Sequence, residues 1–104
     1  MPLVRIAPFA LLTTELVTNA AKHAYAPAQP ARITVTLDPM PLGSVTLFVR
    51  DEGKGLPEDF EIATDPSLGM KIIRALVEQM GAQLSVTRLQ PGTEFLVTIP
   101  LATE

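Results

Sequence analysis

An apolar stripe at helical spacing, running from Phe9 to Ala24, constrains the fold of this 104-residue chain more than any other feature. Apolar residues that recur every three or four positions form one face of an amphipathic helix, and such a helix is stable when that face covers a core. Pro8 suits the first helical turn, where its missing N–H costs no hydrogen bond. Pro27 and Pro30 mark the end of the helix. We therefore predict a first helix that packs on one side against the rest of the chain.

Four polar side chains share a second face of this helix: Glu15, Asn19, Lys22 and His23. They stand at i, i+4, i+7 and i+8, which places them within about a third of the helix circumference. The helix thus presents a carboxylate, a carboxamide and two basic groups at the edge of a core. Taken alone, such a face is more simply interpreted as a solvated surface. A functional interpretation depends on the motifs that follow it in the chain.

Alternation of apolar and polar residues predicts four strands, in residues 32–37, 44–50, 83–89 and 93–101. Proline and glycine place turns at residues 38–43 and 90–92. A second helix is predicted to begin after the capping residue Ser67 and to end at Gly81. The order helix, strand, strand, helix, strand, strand predicts a two-layer α+β sandwich with both helices on one face of the sheet.

Composition limits the kinds of partner that this chain can bind. The chain is short enough to form one domain, residues 1–104. Its eight Lys and Arg are outnumbered by eleven Asp and Glu, which argues against wrapping a nucleic acid. The lack of cysteine and the single histidine exclude thiolate and His-rich metal sites, whereas a hard cation bound through oxygen remains compatible. No apolar run reaches the roughly 18 residues of a membrane span, and no secretory signal is visible, so we expect a cytoplasmic location.

A glycine-containing loop follows the second strand and begins with Asp51. Gly53 and Gly55 permit the backbone to approach a ligand closely, and the Asp51 carboxylate would accept a hydrogen bond from an amino group at a pocket mouth. The alternative is an ordinary turn aspartate, because Asp and Gly are common in turns. Residues 56–66 show no periodicity and are acidic, which predicts a mobile lid.

Two further motifs are weak when taken singly. Ser67-Leu68-Gly69 at a helix start is explained by capping and packing, although helix N-terminal amides also bind phosphate. Gly92-Thr93 is explained by turn chemistry. The joint order and spacing of all these motifs carry more information than any one of them.

Taken together, the motifs resemble the ATP-binding catalytic domain of bacterial sensor histidine kinases, within the superfamily of type II topoisomerases, heat-shock chaperone ATPases and mismatch-repair ATPases. The resembling segments are Glu15-x-x-x-Asn19-Ala20-x-Lys22-His23 (the N box), Asp51-x-Gly53-x-Gly55 and Ser67-Leu68-Gly69-Met70 (the two glycine boxes), and Gly92-Thr93-x-Phe95 (the closing strand). The resemblance implies a Bergerat-type fold, in which the sheet is mixed and mainly antiparallel. Residues 56–60 and 76–81 look most like a subgroup that includes many light-sensing and stress-sensing kinases.

The resemblance also implies two cofactors, ATP and Mg²⁺, and roles for the polar face of the first helix. Asn19 would supply an oxygen to Mg²⁺ that bridges the phosphates. Lys22 would meet phosphate as a point charge, and His23 would assist from the same face. Glu15 would orient or activate the group that attacks the γ-phosphate.

At the other motifs, the resemblance implies that Asp51 accepts a hydrogen bond from the adenine amino group, with Thr93 supporting it through water. Gly53 and Gly55 would let the backbone approach the nucleotide. The second glycine box, Ser67, Leu68, Gly69 and Met70, would close on the phosphates. Ser67 stands where the family usually has a glycine, and its hydroxyl would add a donor to phosphate.

A departure from the family concerns the phosphoacceptor. The family usually places a strand and a helical dimerisation segment with the acceptor histidine before the N box, and the resemblance therefore implies a catalytic domain without them. His23 belongs to the N box, so the acceptor would be a histidine helix in cis in a longer kinase or in trans, with a response regulator downstream. A missing edge strand would leave a sheet edge open to self-association.

The leading interpretation is transfer of the γ-phosphate to a partner histidine in two-component signalling. One alternative within the same fold is an ATPase or a serine kinase of the anti-sigma type. The other is a non-catalytic module that binds nucleotide or docks a partner.

Overall fold

The computed structural model describes residues 6–24, 32–40, 43–56, 58–89 and 91–100. The elements in these ranges are α1 (Ile6–Ala24), β1 (Ile33–Met40), β2 (Ser44–Asp51), α2 (Leu68–Gln79), β3 (Gln83–Arg88) and β4 (Thr93–Pro100). Their order and type confirm the predicted two-layer α+β sandwich. Pro27 and Pro30, expected to end the first helix, lie outside the described residues, as does Leu101 of the predicted last strand.

The four strands form one sheet in the order β1-β2-β4-β3, and every described pair is antiparallel. Two hairpins, β1–β2 and β3–β4, thus meet along the central β2–β4 pair. In that pair Val45, Leu47 and Val49 lie directly opposite apolar residues of β4. Because side chains alternate between the two faces of a strand, these residues and their partners lie on the same face of the sheet. The alternation predicted from the sequence therefore defines one apolar face of the sheet.

Both helices cover this apolar face and contact each other. Leu12 and Leu16 of α1 and Ile73 of α2 are fully buried there, together with Leu47 and Val97 of the sheet. Burying a side chain of this size contributes roughly 1.5–3 kcal/mol. The predicted helical stripe is therefore the core face of α1 from Phe9 to Ala20, and the side chain of Ala24 lies outside the described residues.

One predicted turn is wrong over three residues. β1 continues through Asp38, Pro39 and Met40, which pair with Thr46, Val45 and Ser44 of β2. Proline and aspartate favour a turn in a sequence, but an edge strand tolerates proline because its missing N–H need not serve a ladder. Among the described strands β1 lies at the edge of the sheet, and the hairpin is longer than the composition indicated.

The boundaries of α2 agree with the capping signals. Ser67 has an extended backbone and its side chain accepts a hydrogen bond from the Met70 N–H, which makes it the N-cap. At the other end, Gly81 has a φ of 64°, the left-handed conformation that ends many helices. The start of α2 is therefore fixed by the hydrogen bond of the Ser67 cap.

The segment between β2 and α2 contains turns but no helix or strand in residues 58–66. Two arginines hold it to the body of the domain. Arg74 of α2 donates through Nη1 to the carbonyl oxygens of Ile62 at 2.8 Å and Asp65 at 2.9 Å. Arg88 of β3 donates to the carbonyl oxygens of Leu56 at 3.0 Å and Glu58 at 3.4 Å. The predicted lid is thus aperiodic but attached at both ends.

Candidate functional site

Asp51 extends the inward alternation of β2 by one more step, since it follows Val49 by two residues. Its side chain therefore lies on the face that the helices cover, and it is only 3% exposed. Thr93 lies directly opposite on β4 and is 2% exposed. A strand that ends on the inward face thus delivers a carboxylate to the edge of the core.

Backbone N–H groups hold the Asp51 carboxylate. Oδ1 accepts a hydrogen bond from the Gly53 N–H at 3.0 Å, and the Thr93 N–H donates to the same carboxylate. Burial raises the pKa of Asp51, and these two hydrogen bonds offset part of that increase. A carboxylate offers about four lone-pair sites, so two bonds leave it able to accept from a ligand amino group.

Glycine at position 92 is required by the way β4 meets β2. Gly92 has a φ of 109°, and a Cβ added to it would overlap the carbonyl oxygen of Asp51. Gly55, with a φ of 85°, packs next to the Gly92 carbonyl oxygen. The sequence analysis assigned Gly92 to a turn and to the closing-strand motif and did not connect it with Asp51. Asp51 and Gly92 are distant in the chain, so no local sequence pattern indicated this contact.

Two cavities meet at Asn19. The smaller has a volume of about 20 Å³, and it is lined by Asn19, Ala20, Asp51, Gly55, Leu56, Thr93 and Phe95. The larger is an open cleft of about 330 Å³, lined by Glu15, Thr18, Asn19, Lys22, Ser67, Leu68, Gly69 and Ile72. The smaller one holds no more than about one water, whereas the cleft is within the roughly 300–1,000 Å³ range of ligand pockets.

The structure therefore brings together most of the predicted site residues. Glu15, Asn19 and Lys22 line the cleft from α1, while the start of α2 lines it from the other side. His23 belongs to α1, and its side chain lies outside the described residues. Gly53 is buried below the Asp51 carboxylate and Met70 is 2% exposed in the core, so these two residues support the site without lining either cavity.

Ser67 is held by a residue that the sequence interpretation did not single out. Its hydroxyl donates to Asp65 Oδ2 at 2.6 Å and accepts from the Met70 N–H at 3.2 Å. The Ser67 N–H also donates to Asp65 Oδ2, at 3.2 Å. The capping role of Ser67 is confirmed. The hydroxyl proton of Ser67 points to Asp65, so Ser67 could donate to phosphate only after its hydrogen bond to Asp65 is broken.

Asn19 of α1 and Gly69 of α2 pack against each other at the junction of the cavities. A Cβ on Gly69 would lie 2.7 Å from Asn19 Oδ1 and 3.2 Å from Nδ2. The Asn19 carboxamide can therefore occupy its present place only because residue 69 has no side chain.

A separate groove of about 250 Å³ lies on the face of the sheet opposite the two helices. Arg50 and Glu94 line it and form an ion pair of 2.6 Å on the surface. Exposed pairs of this kind contribute at most about 1 kcal/mol. The groove contains none of the predicted site residues. The candidate site is therefore the pair of cavities on the helix-covered face.

Two negative findings apply to the part of the chain that the structure describes. No group of three or more His, Asp or Glu side chains there could hold a metal ion. No helix within those ranges is long and apolar enough to cross a membrane.

The chain is similar to histidine kinases in sequence. Residues 6–103 match the family described as histidine kinase-, DNA gyrase B-, and HSP90-like ATPase. Blue-light-activated histidine kinase 2 of Erythrobacter litoralis is 36% identical over 92 residues, which cover 88% of this chain and 27% of that kinase. Sensor histidine kinase PdtaS of Mycobacterium tuberculosis is 30% identical over 93 residues, with 88% and 19% covered. The chain thus spans about a quarter or less of these relatives.

Solved structures show the same similarity. The histidine kinase domain of the Erythrobacter litoralis blue-light activated histidine kinase superposes with a TM-score of 0.88 at 34% identity, covering 97% of this chain and 50% of that one. Full-length ShkA, solved in complex with AMPPNP, gives a TM-score of 0.72 at 26% identity, with 93% and 22% covered. The chain therefore belongs to the histidine kinase-, DNA gyrase B- and HSP90-like ATPase family, as a domain of the sensor histidine kinase type.

Proposed function

We propose that this chain binds ATP with Mg²⁺ and transfers the γ-phosphate to a histidine on a partner helix. The observation that carries the proposal is the position of Asn19, which lines both the cavity at Asp51 and the cleft at the start of α2. A nucleotide has an aromatic base at one end and a chain of phosphates at the other. The two cavities, which share Asn19, match this division, with a hydrogen-bond acceptor in one and polar and basic groups in the other.

The adenine would bind in the cavity at Asp51. The carboxylate keeps acceptor capacity after its bonds to Gly53 and Thr93, which suits the amino group of adenine. The Thr93 hydroxyl would support it through water, while Gly53 and Gly55 let the backbone come close. Phe95, 4% exposed, provides an apolar surface for the base.

This cavity has to enlarge before a base can enter, because about 20 Å³ is far less than a purine needs. Leu56 lines it and is also the first residue of the predicted lid. The Leu56 carbonyl oxygen accepts a hydrogen bond from Arg88. We propose that adenine displaces Leu56 and that the lid residues which follow it move with that displacement.

The phosphates would bind in the cleft, at the N-terminus of α2. Lys22 contributes a positive charge. In the second glycine box the Ser67 and Met70 N–H groups already donate within the protein, so the Leu68 and Gly69 N–H groups at the helix start would serve the phosphates, as in a common anion site. His23, in the last turn of α1, would assist. Phosphoryl transfer depends mainly on positioning and charge neutralisation, and this cleft offers groups for both.

The residues present fit Mg²⁺ held largely by substrate and water. Within the described ranges no cluster of acidic or His side chains forms a protein cage, and Asn19 offers a single amide oxygen where the cavities meet. Mg²⁺ in nucleotide sites usually keeps several waters and takes few protein ligands. When bound, the ion neutralises charge on the phosphates.

In the transfer itself, a histidine nitrogen attacks the γ-phosphorus, a P–N bond forms, the bond to the bridging β–γ oxygen breaks, and ADP leaves. Glu15 lines the cleft from α1, where its carboxylate would orient the attacking imidazole and accept its proton. The catalytic groups on this chain would thus be Glu15, Asn19 and Lys22.

We further propose that residues 1–104 form one catalytic domain in the cytoplasm, whose acceptor helix is supplied in cis or in trans and whose phosphate passes to a response regulator. The names of the kinase relatives support these partners. Among the described strands β1 lies at an edge of the sheet, so pairing with a second chain at that edge is part of the proposal.

The test is transfer from γ-labelled ATP to a supplied dimerisation helix with one histidine. We expect label on that helix that is lost in acid and retained in base, as for phosphohistidine. A helix with the histidine replaced by alanine is the control. Acid-stable label would indicate a serine kinase, and release of phosphate without labelling would indicate an ATPase.

A further inference from the structure

Gly69 is a glycine that its backbone conformation does not require. The described glycines with positive φ are Gly43, Gly55, Gly81 and Gly92, and Gly69 is not among them. It lies in the first turn of α2, where any residue fits the backbone and glycine is among the poorest helix formers. A local structural reason for glycine is therefore absent, and the reason has to lie in a neighbour.

That neighbour is the Asn19 side chain. The three atoms nearest to an added Gly69 Cβ are Oδ1, Nδ2 and Cγ of Asn19, at 2.7, 3.2 and 3.3 Å. A carbon cannot stay 2.7 Å from that oxygen, so one of the two groups would have to move. α2 is anchored here by the buried residues Met70 and Ile73. The carboxamide is the more movable group.

Movement of the carboxamide would change the site, because Asn19 lines both cavities. Asn19 is half-buried and borders the open cleft, so its carboxamide has room to turn on that side. A methyl group at position 69 would therefore turn the amide oxygen away from its present place at the junction.

We infer that Gly69 is a positioning residue for Asn19: its missing side chain holds the carboxamide where the two cavities meet. The inference rests on the proposed function, because that placement matters to nucleotide only if Asn19 binds Mg²⁺. It gives Gly69 a role different from the close approach of its backbone to phosphate.

The two roles separate in a double-mutant cycle of Gly69→Ala and Asn19→Ala, measured by calorimetric titration with ADP. With Mg²⁺ present, we expect Gly69→Ala to lose about tenfold in affinity, as Asn19→Ala does, since both remove one bond to a charged group. In the Asn19→Ala background, Gly69→Ala should change affinity less than twofold. Without Mg²⁺, the Gly69→Ala protein should bind ADP as the unmodified protein does.

Additive losses in the cycle, or an equal loss without Mg²⁺, would show that Gly69 acts on the nucleotide directly and would overturn the inference while leaving the proposed function intact.

Two measurements on the nucleotide-free protein test the positioning even if no nucleotide binds. The Asn19 side-chain NH₂ signals in a ¹H–¹⁵N spectrum should shift in Gly69→Ala. In thermal unfolding, Gly69→Ala should lower the midpoint in the unmodified protein and raise it in the Asn19→Ala background, because alanine is the better helix former once the collision is removed. Unshifted signals, or the same change of midpoint in both backgrounds, would contradict the inference.

Discussion

Thr93 lies directly opposite Asp51 across the β2–β4 pair, and its N–H donates to the Asp51 carboxylate. Both side chains are on the helix-covered face, and both are almost fully buried. Two donors, the N–H groups of Gly53 and Thr93, thus converge on one acceptor. A change from carboxylate to amide at position 51 would place an NH₂ donor among them.

We predict that Asp51→Asn lowers ADP affinity by tenfold or more. The substitution keeps the shape but removes the charge, and hydrogen bonds to charged groups contribute roughly 1.5–3 kcal/mol. Calorimetric titration gives the affinity, and circular dichroism checks that both proteins are folded. Equal affinities for two folded proteins would remove Asp51 from the adenine site.

The raised pKa of Asp51 predicts a pH dependence of stability. The folded protein holds the Asp51 proton more tightly than the unfolded chain, whose carboxyl titrates near the ordinary value of 3.8. The contribution of Asp51 to the free energy of unfolding should therefore fall as the pH rises from below 3.8 through the raised pKa. Urea unfolding of the unmodified protein and of Asp51→Asn, compared at each pH, isolates this contribution from that of other carboxyls. The prediction would be contradicted if the difference in unfolding free energy between the two proteins were constant with pH, or if it favoured the unmodified protein more as the pH rises.

The attachment of the lid predicts two effects on amide exchange. Arg74→Met should speed exchange at Thr64 and Asp65, whose N–H groups bond to the Glu61 carbonyl oxygen, because the guanidinium no longer holds the carbonyls of Ile62 and Asp65. Lys71→Met on the exposed side of α2 is a matched control for Arg74→Met.

In the unmodified protein, nucleotide with Mg²⁺ should slow amide exchange across residues 58–65. Unchanged exchange in both experiments would make the segment a static surface loop.

Glu15 is predicted to act on transfer and not on binding. Glu15→Gln keeps a polar side chain at the cleft but removes the carboxylate, so ADP affinity should change little. Phosphorylation of a supplied histidine helix should slow by about 10²–10⁴-fold if the carboxylate accepts the proton. Single-turnover measurement of labelled product gives the rate. An unchanged rate would leave Glu15 as a solvated residue of α1.

The sequence was sufficient to predict the helix-covered face and to name most of the residues that line the two cavities, because periodicity is local information. Val45, Leu47 and Val49 alternate, and the same alternation carried two residues further places Asp51 inward. The fit of Gly92 against Asp51 and of Gly69 against Asn19 joins residues that are distant in the chain, and only the packed structure shows it.

Two other features were hidden for different reasons. Pro39 favoured a turn by its local preference, whereas the edge position of β1 allowed a strand. Asp65 looked like one of several acidic loop residues, and its bond to Ser67 depends on the conformation of residues 65–67.

Titration of the unmodified protein and of Asn19→Ala with AMPPNP, each with Mg²⁺ and with the metal chelated, tests the proposed nucleotide site most directly. We expect one molecule of AMPPNP to bind per chain, with affinity at least tenfold weaker after chelation in the unmodified protein. Asn19→Ala should bind like the chelated unmodified protein under both conditions, because it lacks the oxygen assigned to the ion. Absence of binding at millimolar AMPPNP, or a full effect of Mg²⁺ that survives in Asn19→Ala, would contradict the placement of nucleotide and metal at Asn19.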